Sequence, residues 1–163
     1  MADQQLYFED VQVGDLMPSR EFGPLTIMDT VQWAGVHENW GRLHFDRDHV
    51  RAHNGLRTFI ASGDYRQALL ARAIHDWIGP RGWLRTFSVR YTAPTYEGDL
   101  MRYGGQVVEK SADPASPWIV CDLEGTNQDG QRTLTGRCTI VLPQRAPGAR
   151  HVWAVPRAGE ERS

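Results

Sequence analysis

The sequence predicts an α+β domain in which an antiparallel sheet wraps around one long helix. Two patterns predict it. Residues 63–77 carry Ala68, Leu69, Leu70, Ala71, Ala73, Ile74 and Trp77 around much of a helical circumference, and a helix apolar on most sides has to be enclosed by other structure. From Trp83 onward the apolar period changes from 3.6 to 2, with Phe87, Val89 and Tyr91 alternating with Thr86, Ser88 and Arg90, the repeat of a strand with one face covered. Helix first, then consecutive strands, is an α+β order.

The elements follow in turn. Residues 1–25 read as an extended lead-in, with a turn at Gly14 and Asp15; Pro18, Gly23 and Pro24 exclude a long helix there. A helix starts near Thr26, where Thr26 and Asp29 have the spacing of a capping box. Ile27, Val31 and Ala34, with Trp33 beside them, form its expected buried stripe, and it ends around residues 37–39, before Gly41. A short helix over 46–52 has Asp46 as N-cap, and Asn54 and Gly55 turn the chain. The long helix over 63–77 is stopped by Gly79, Pro80 and Gly82. Residues 100–109, 118–126 and 132–142 complete the strands, separated by turn-forming clusters at 113–117 and 127–130. Consecutive strands with short turns are antiparallel. One domain is expected over residues 1–143. The Pro-, Gly- and Arg-rich segment 144–163 is expected to be a flexible tail, with Trp153 as a residue able to dock.

Composition narrows the function classes. The chain has 163 residues, 40% of them hydrophobic and 23% charged, with a net charge of −2, as in an ordinary globular domain. Without a basic surplus, no nucleic-acid partner is expected. No apolar stretch approaches the roughly 20 residues of a membrane helix, and the N-terminus lacks the basic start and apolar run of a secretory signal, so no membrane association and a cytoplasmic location are expected. Cys121 and Cys138 are two cysteines in strand-like segments, which form neither a metal motif nor a disulfide framework. His37, His44, His49 and His53 are crowded, but no Cys or His–Glu pair completes a metal signature. No phosphate-binding Gly-rich loop and no Gly-x-Ser-x-Gly elbow is present.

The stretch from Tyr7 to Asp15, the stretch from Asn39 through Arg42, Leu43, His44 and Phe45 to Asp46, the Ser62–Gly63 pair, and the Tyr91-Thr92-Ala93-Pro94 and Tyr96-Glu97-Gly98-Asp99 pieces stand in a specific order. Together, over roughly residues 6–142, they resemble the MaoC-like hydratase/dehydratase family of the hot-dog superfamily. The segment 42–46 is most similar to the branch of 3-hydroxyacyl-thioester dehydratases and mesaconyl-CoA hydratases. The resemblance implies a hot-dog fold, a long central helix cradled by an antiparallel sheet. It also implies a homodimer, or a hetero-oligomer with a related subunit, with sites between the paired units. The implied reaction is hydration of a 2-enoyl thioester, or its reverse, with coenzyme A or a carrier protein entering only as part of the substrate and no resident cofactor.

That reaction needs a group to deprotonate water, a proton for C2, and a holder for the charge that gathers on the thioester oxygen. His44 is the expected proton carrier, since a histidine exchanges protons near neutrality; a lone histidine is otherwise an ordinary polar residue. Asn39 stands where most hydratases of the family have Asp. It accepts a hydrogen bond from water but takes no proton, and it also suits a helix C-cap. Glu38 is a substitute carboxylate only if the helix has already ended. Gly63 and Asp64, at a helix start, are the expected oxyanion site, because free N–H groups and the helix dipole face anions there. Ser62 contacts substrate or caps the helix. Asp46 either holds the His44 ring or caps its own helix. Arg42 and Arg66 are candidate phosphate contacts, with solvated surface arginines as the alternative. Two other functions remain open: a non-catalytic acyl-CoA-binding subunit of a heteromeric hydratase, for which Asn39 is the reason, and an acyl-CoA thioesterase using Asp64.

Overall fold

The computed structural model describes residues 5–113 and 115–145. Five strands, β1 (Leu16–Phe22), β2 (Trp83–Tyr91), β3 (Met101–Lys110), β4 (Trp118–Thr126) and β5 (Arg132–Val141), form one sheet in the order β1-β3-β4-β5-β2, all neighbours antiparallel. Three helices, α1 (Ile27–His37), α2 (Arg47–His53) and α3 (Gly63–Ile78), lie between β1 and β2 in the chain. This is the α+β architecture expected.

The sheet curls around α3. The register shifts between Met17 and Arg20, Leu84 and Thr86, Val107 and Glu109, and Gly125 and Thr126, and each irregularity bends and twists its strand. Leu70, Ala73, Ile74 and Ile78 of α3 are buried against Met101, Tyr103, Val107, Ile119, Cys121, Leu123, Leu134, Cys138 and Ile140 of the sheet. Burying a side chain of the Leu, Ile or Met kind contributes about 1.5–3 kcal/mol, so this contact is the main source of the fold's stability. Cys121 and Cys138 face each other across β4 and β5 as free, buried thiols.

Three expectations are corrected. The lead-in contains a 3-10 turn at Phe8–Asp10 and a strand, β1, which pairs with β3 at the sheet edge. Pro18 hid this strand; an edge tolerates a missing N–H that an interior strand does not. On α1 the buried positions are Thr30 and Ala34, whereas Val31 is exposed; the helix is rolled by one position and Thr30 satisfies its hydroxyl on the Ile27 carbonyl. The strands are antiparallel, but they do not all pair in chain order as short turns between consecutive strands imply: β2 pairs with β5, not with β3. The opening of the expected tail is also tied down, since Arg145 makes two hydrogen bonds to the Asp10 carboxylate at 2.5 and 2.7 Å. The rest of that segment, with Trp153, lies outside the described residues. No helix among the described residues is long and apolar enough to cross a membrane.

Candidate active site

The segment between α1 and α3 is folded onto the start of α3 by backbone hydrogen bonds. α1 begins with the expected capping box, Thr26 and Asp29 exchanging bonds. It ends at Glu38, which adopts the left-handed conformation at φ 52°. The N–H groups of Glu38 and Asn39 both reach the Ala34 carbonyl, so the helix closes before Asn39. Glu38, past the helix end, is exposed. Asn39 then turns the chain: its Oδ1 accepts the Gly41 N–H at 3.4 Å. A 3-10 turn at Arg42–His44 follows.

His44 is held at a defined tautomer. Its Nδ1 lies 3.0 Å from the Ile60 carbonyl. A carbonyl only accepts, so Nδ1 carries the hydrogen and the neutral ring keeps its lone pair on Nε2. The Ile60 N–H answers to the Leu43 carbonyl, while Ala61 N–H bonds Thr95 O and Glu97 N–H bonds Phe59 O. The carbonyl that orients His44 is therefore itself fixed to the chain on both sides. Asn39 Oδ1 and His44 Cδ2 both lie close to Gly41, 3.4 and 3.6 Å from where a Cβ there would stand. The structure thus brings Asn39 and His44 to one place. Asp46 caps α2 through the His49 N–H and pairs with Arg42, and these are the bonds it makes, not one to His44.

Ile60 leads in three residues to Gly63, the first residue of α3. Ser62 is the N-cap, accepting the Tyr65 N–H. Among the described residues nothing accepts the Gly63 N–H, as befits the first turn of a helix. Gly63 lacks a side chain for a reason not foreseen: a Cβ there would stand 2.8 Å from the Tyr91 ring, and the Tyr91 hydroxyl donates to the Gly63 carbonyl at 2.5 Å. For Asp64, burial acts to raise the carboxyl pKa. The Ser62 hydroxyl, the Trp33 indole and the N–H groups of Tyr65 and of Asp64 itself outweigh it, so the group stays below its ordinary value.

Arg66 is corrected. It is not a surface phosphate contact but is 3% exposed, with Nη1 on the Ala93 carbonyl and Nη2 on the Thr133 carbonyl. Its guanidinium lies under the Tyr91 ring, 4.9 Å from the centroid. Burial lowers its pKa, with the nearby Tyr103 opposing, and burial pushes the Tyr103 hydroxyl up to about 12. Arg42 stays at the surface, paired with Asp46. Sequence reasoning missed the neighbours of Asp64. His37 Nδ1 lies 3.9 Å from Asp64 Oδ2, with Trp33 stacked on the imidazole. The i, i+4 spacing of Trp33 and His37 was the available signal. No group of three or more His, Cys, Asp or Glu side chains among the described residues is placed to hold a metal ion.

No protein-family model matches the chain, and no curated protein sequence matches it. Solved structures do. The chain is similar to the unliganded (R)-hydratase PhaJ1 from Pseudomonas aeruginosa at 23% identity and a TM-score of 0.77, over 86% of this chain and 87% of that one. It is similar to a MaoC-like dehydratase from Rhodospirillum rubrum at 21% identity and a TM-score of 0.74, over 87% and 99%. In the ChsH1–ChsH2 complex from Mycobacterium tuberculosis the similar chain shows 21% identity and a TM-score of 0.70, over 80% and 98%. The chain has the hot-dog fold, in the form shared by MaoC-like dehydratases and (R)-hydratases of known structure.

Proposed function

We propose that this protein adds water to a 2-enoyl thioester, giving the 3-hydroxyacyl thioester, or runs the reverse elimination. The observation that carries the reading is His44: its ring is latched by the Ile60 carbonyl, which leaves Nε2 as the nitrogen free to exchange a proton with substrate, and that same strand of chain runs straight into the Gly63 helix start. The thioester carbonyl takes its hydrogen bond from the Gly63 N–H, where the dipole of α3 favours the charge that develops on the oxygen. Asn39 holds the water with its side-chain amide. His44 Nε2 takes the proton from water and returns it to C2. Coenzyme A or a carrier-protein arm is part of the substrate, and the site is completed where two hot-dog units pair. The hydratase and dehydratase neighbours support the reading at the level of fold.

The test is loss of enoyl-thioester absorbance with short, branched and ring-bearing enoyl-CoA esters. His44→Ala lowers kcat by about 10²–10⁴-fold, the range for losing a positioned acid–base group. A wild-type protein that turns over no ester, alone or with a related hot-dog subunit, ends this reading.

A second reading is favoured by one residue. Asn39 cannot take a proton, and a neighbouring fold comes from a two-component complex. The chain is then a binding half that shapes the acyl pocket for a catalytic partner. Copurification with a hot-dog subunit bearing Asp at the matching position supports it, and full activity of the chain by itself removes it.

A further inference from the structure

Hydration moves two protons, one off the water and one onto C2. If His44 alone carries both, its single free nitrogen must serve two positions in turn, because Asn39 takes no proton. A second proton carrier stands at the same helix start. His37, at the end of α1, and Asp64, in the first turn of α3, bring their side chains within 3.9 Å of each other, and they remain open to solvent, 43% and 41% exposed. The arrangement is held from both sides. Trp33 stacks on the His37 ring with centroids 4.1 Å apart at 24°, and Tyr65 backs Trp33 at 5.4 Å. The Tyr65 N–H holds the Asp64 carboxylate at 3.1 Å. The Trp33 indole N–H is buried without a hydrogen-bond partner among the described residues. Gly63 is preceded by the Ile60 latch of His44 and followed directly by Asp64, so the two imidazoles are anchored on either side of the oxyanion donor along the chain.

We propose that His37, oriented by Asp64, is a second catalytic base of this site and takes the water proton that Asn39 cannot. The proposal rests on the hydration reading above and divides the round trip of His44 in two. A His37 ring nitrogen takes a proton from water, and the water oxygen bonds to C3. The electron pair of the C2–C3 double bond moves toward C2 and the thioester oxygen, then takes a proton from Nε2 of His44, which in this division of labour enters the cycle as the imidazolium, its Nδ1–H still on the Ile60 carbonyl. His44 ends neutral and His37 ends charged beside the Asp64 carboxylate; exchange through solvent returns the proton from His37 to His44. Elimination runs the same steps backwards. Asp64 is a positioning residue, which keeps the imidazolium paired. Titratable groups near this pair include Glu38, next to His37 in the chain, Tyr65 of α3, in ring contact with Trp33, and Tyr91 of β2, whose hydroxyl reaches the Gly63 carbonyl.

The test compares wild type, His37→Ala, Asp64→Asn and Asp64→Glu on whichever enoyl-CoA ester the wild type hydrates best. His37→Ala is expected to lower kcat by about 10²-fold with KM changed less than about threefold, the signature of an interaction made in the transition state. Added imidazole restores part of that rate. Asp64→Asn lowers kcat about tenfold, in the range for losing the partner of a working histidine, and Asp64→Glu recovers most of it. If His37→Ala unfolds at a lower temperature, the contrast between the Asn and Glu variants at 64 decides, since a purely structural carboxylate would not be rescued in rate. An active wild type whose His37→Ala and Asp64→Asn variants keep kcat within about threefold overturns this proposal and leaves hydration by His44 standing. A wild type that hydrates nothing overturns both.

Discussion

At the scale of single residues, the start of α3 is governed by one close approach. Gly63 is helical and needs no unusual backbone angle; what it lacks is room, because the Tyr91 ring occupies the place of its Cβ. Gly63→Ala is therefore expected to destabilise by about 1–3 kcal/mol, the usual penalty of overpacking. The same change made on a Tyr91→Ala background is expected to lose most of that penalty, because the clashing ring is gone. Urea titrations of the four proteins measure it; equal penalties in both backgrounds would show that Tyr91 is not the obstacle. Arg66 extends the same patch inward. A cation buried there stays in place because two carbonyl groups accept its N–H groups and the Tyr91 face lies over it. This cation is part of the interior that holds the helix start, not part of the surface that meets substrate.

At the scale of elements, the turn after α1 decides where Asn39 stands. Glu38 holds the left-handed conformation that glycine adopts freely and a side chain resists by roughly 1 kcal/mol. Glu38→Gly is expected to raise stability by about 0.5 kcal/mol after the added freedom of the unfolded chain is subtracted, read as a higher urea midpoint at unchanged slope, with Glu38→Ala giving no such gain. Elements with strong local signals were legible in the sequence: the Thr26–Asp29 box, the Asp46 cap, the apolar α3 and the four strands from Trp83 onward all stand where the pattern placed them. What was not legible depended on partners distant in sequence. β1 reads as irregular because Pro18 interrupts it, and only pairing with β3 makes it a strand. Arg66 reads as a surface residue because nothing local announces the carbonyl groups of Ala93 and Thr133. For the site, the resemblance of the 39–46 and 62–63 segments singled out His44, Asn39 and Gly63 as candidates, and the structure sets His44 and Asn39 on either side of Gly41. The pairing of His37 with Asp64 needed the angle between two helices, which no spacing encodes.

At the scale of the molecule, the two edges of the sheet differ in kind. β1 is blunted: it carries Pro18, a register shift, and the charged side chains Arg20 and Glu21 tied into ion pairs with Asp76 and Arg102. Proline, irregularity and charge are the devices that keep an edge from pairing. β2 carries no proline, and its one register shift lies at the end where the strand begins. It is nine residues long, regular beyond its shift at Leu84, and not one of its residues is buried, although Phe87 and Val89 pack against the core. Among the described residues no strand lies on its outer side. An open, regular edge of that length is a template for another strand, and self-pairing of one edge generates a two-fold dimer. The native mass by light scattering is expected to be twice the 18.5 kDa of the chain. Ser88→Lys, at mid-strand, sets like charges near one another across the two-fold axis, where such pairs are destabilising, and is expected to shift the mass toward that of one chain without lowering the melting temperature of the isolated unit. A wild-type mass of a single chain at micromolar concentration would exclude self-pairing through β2 and leave that edge for a related subunit, the arrangement in which Asn39 belongs to the binding half.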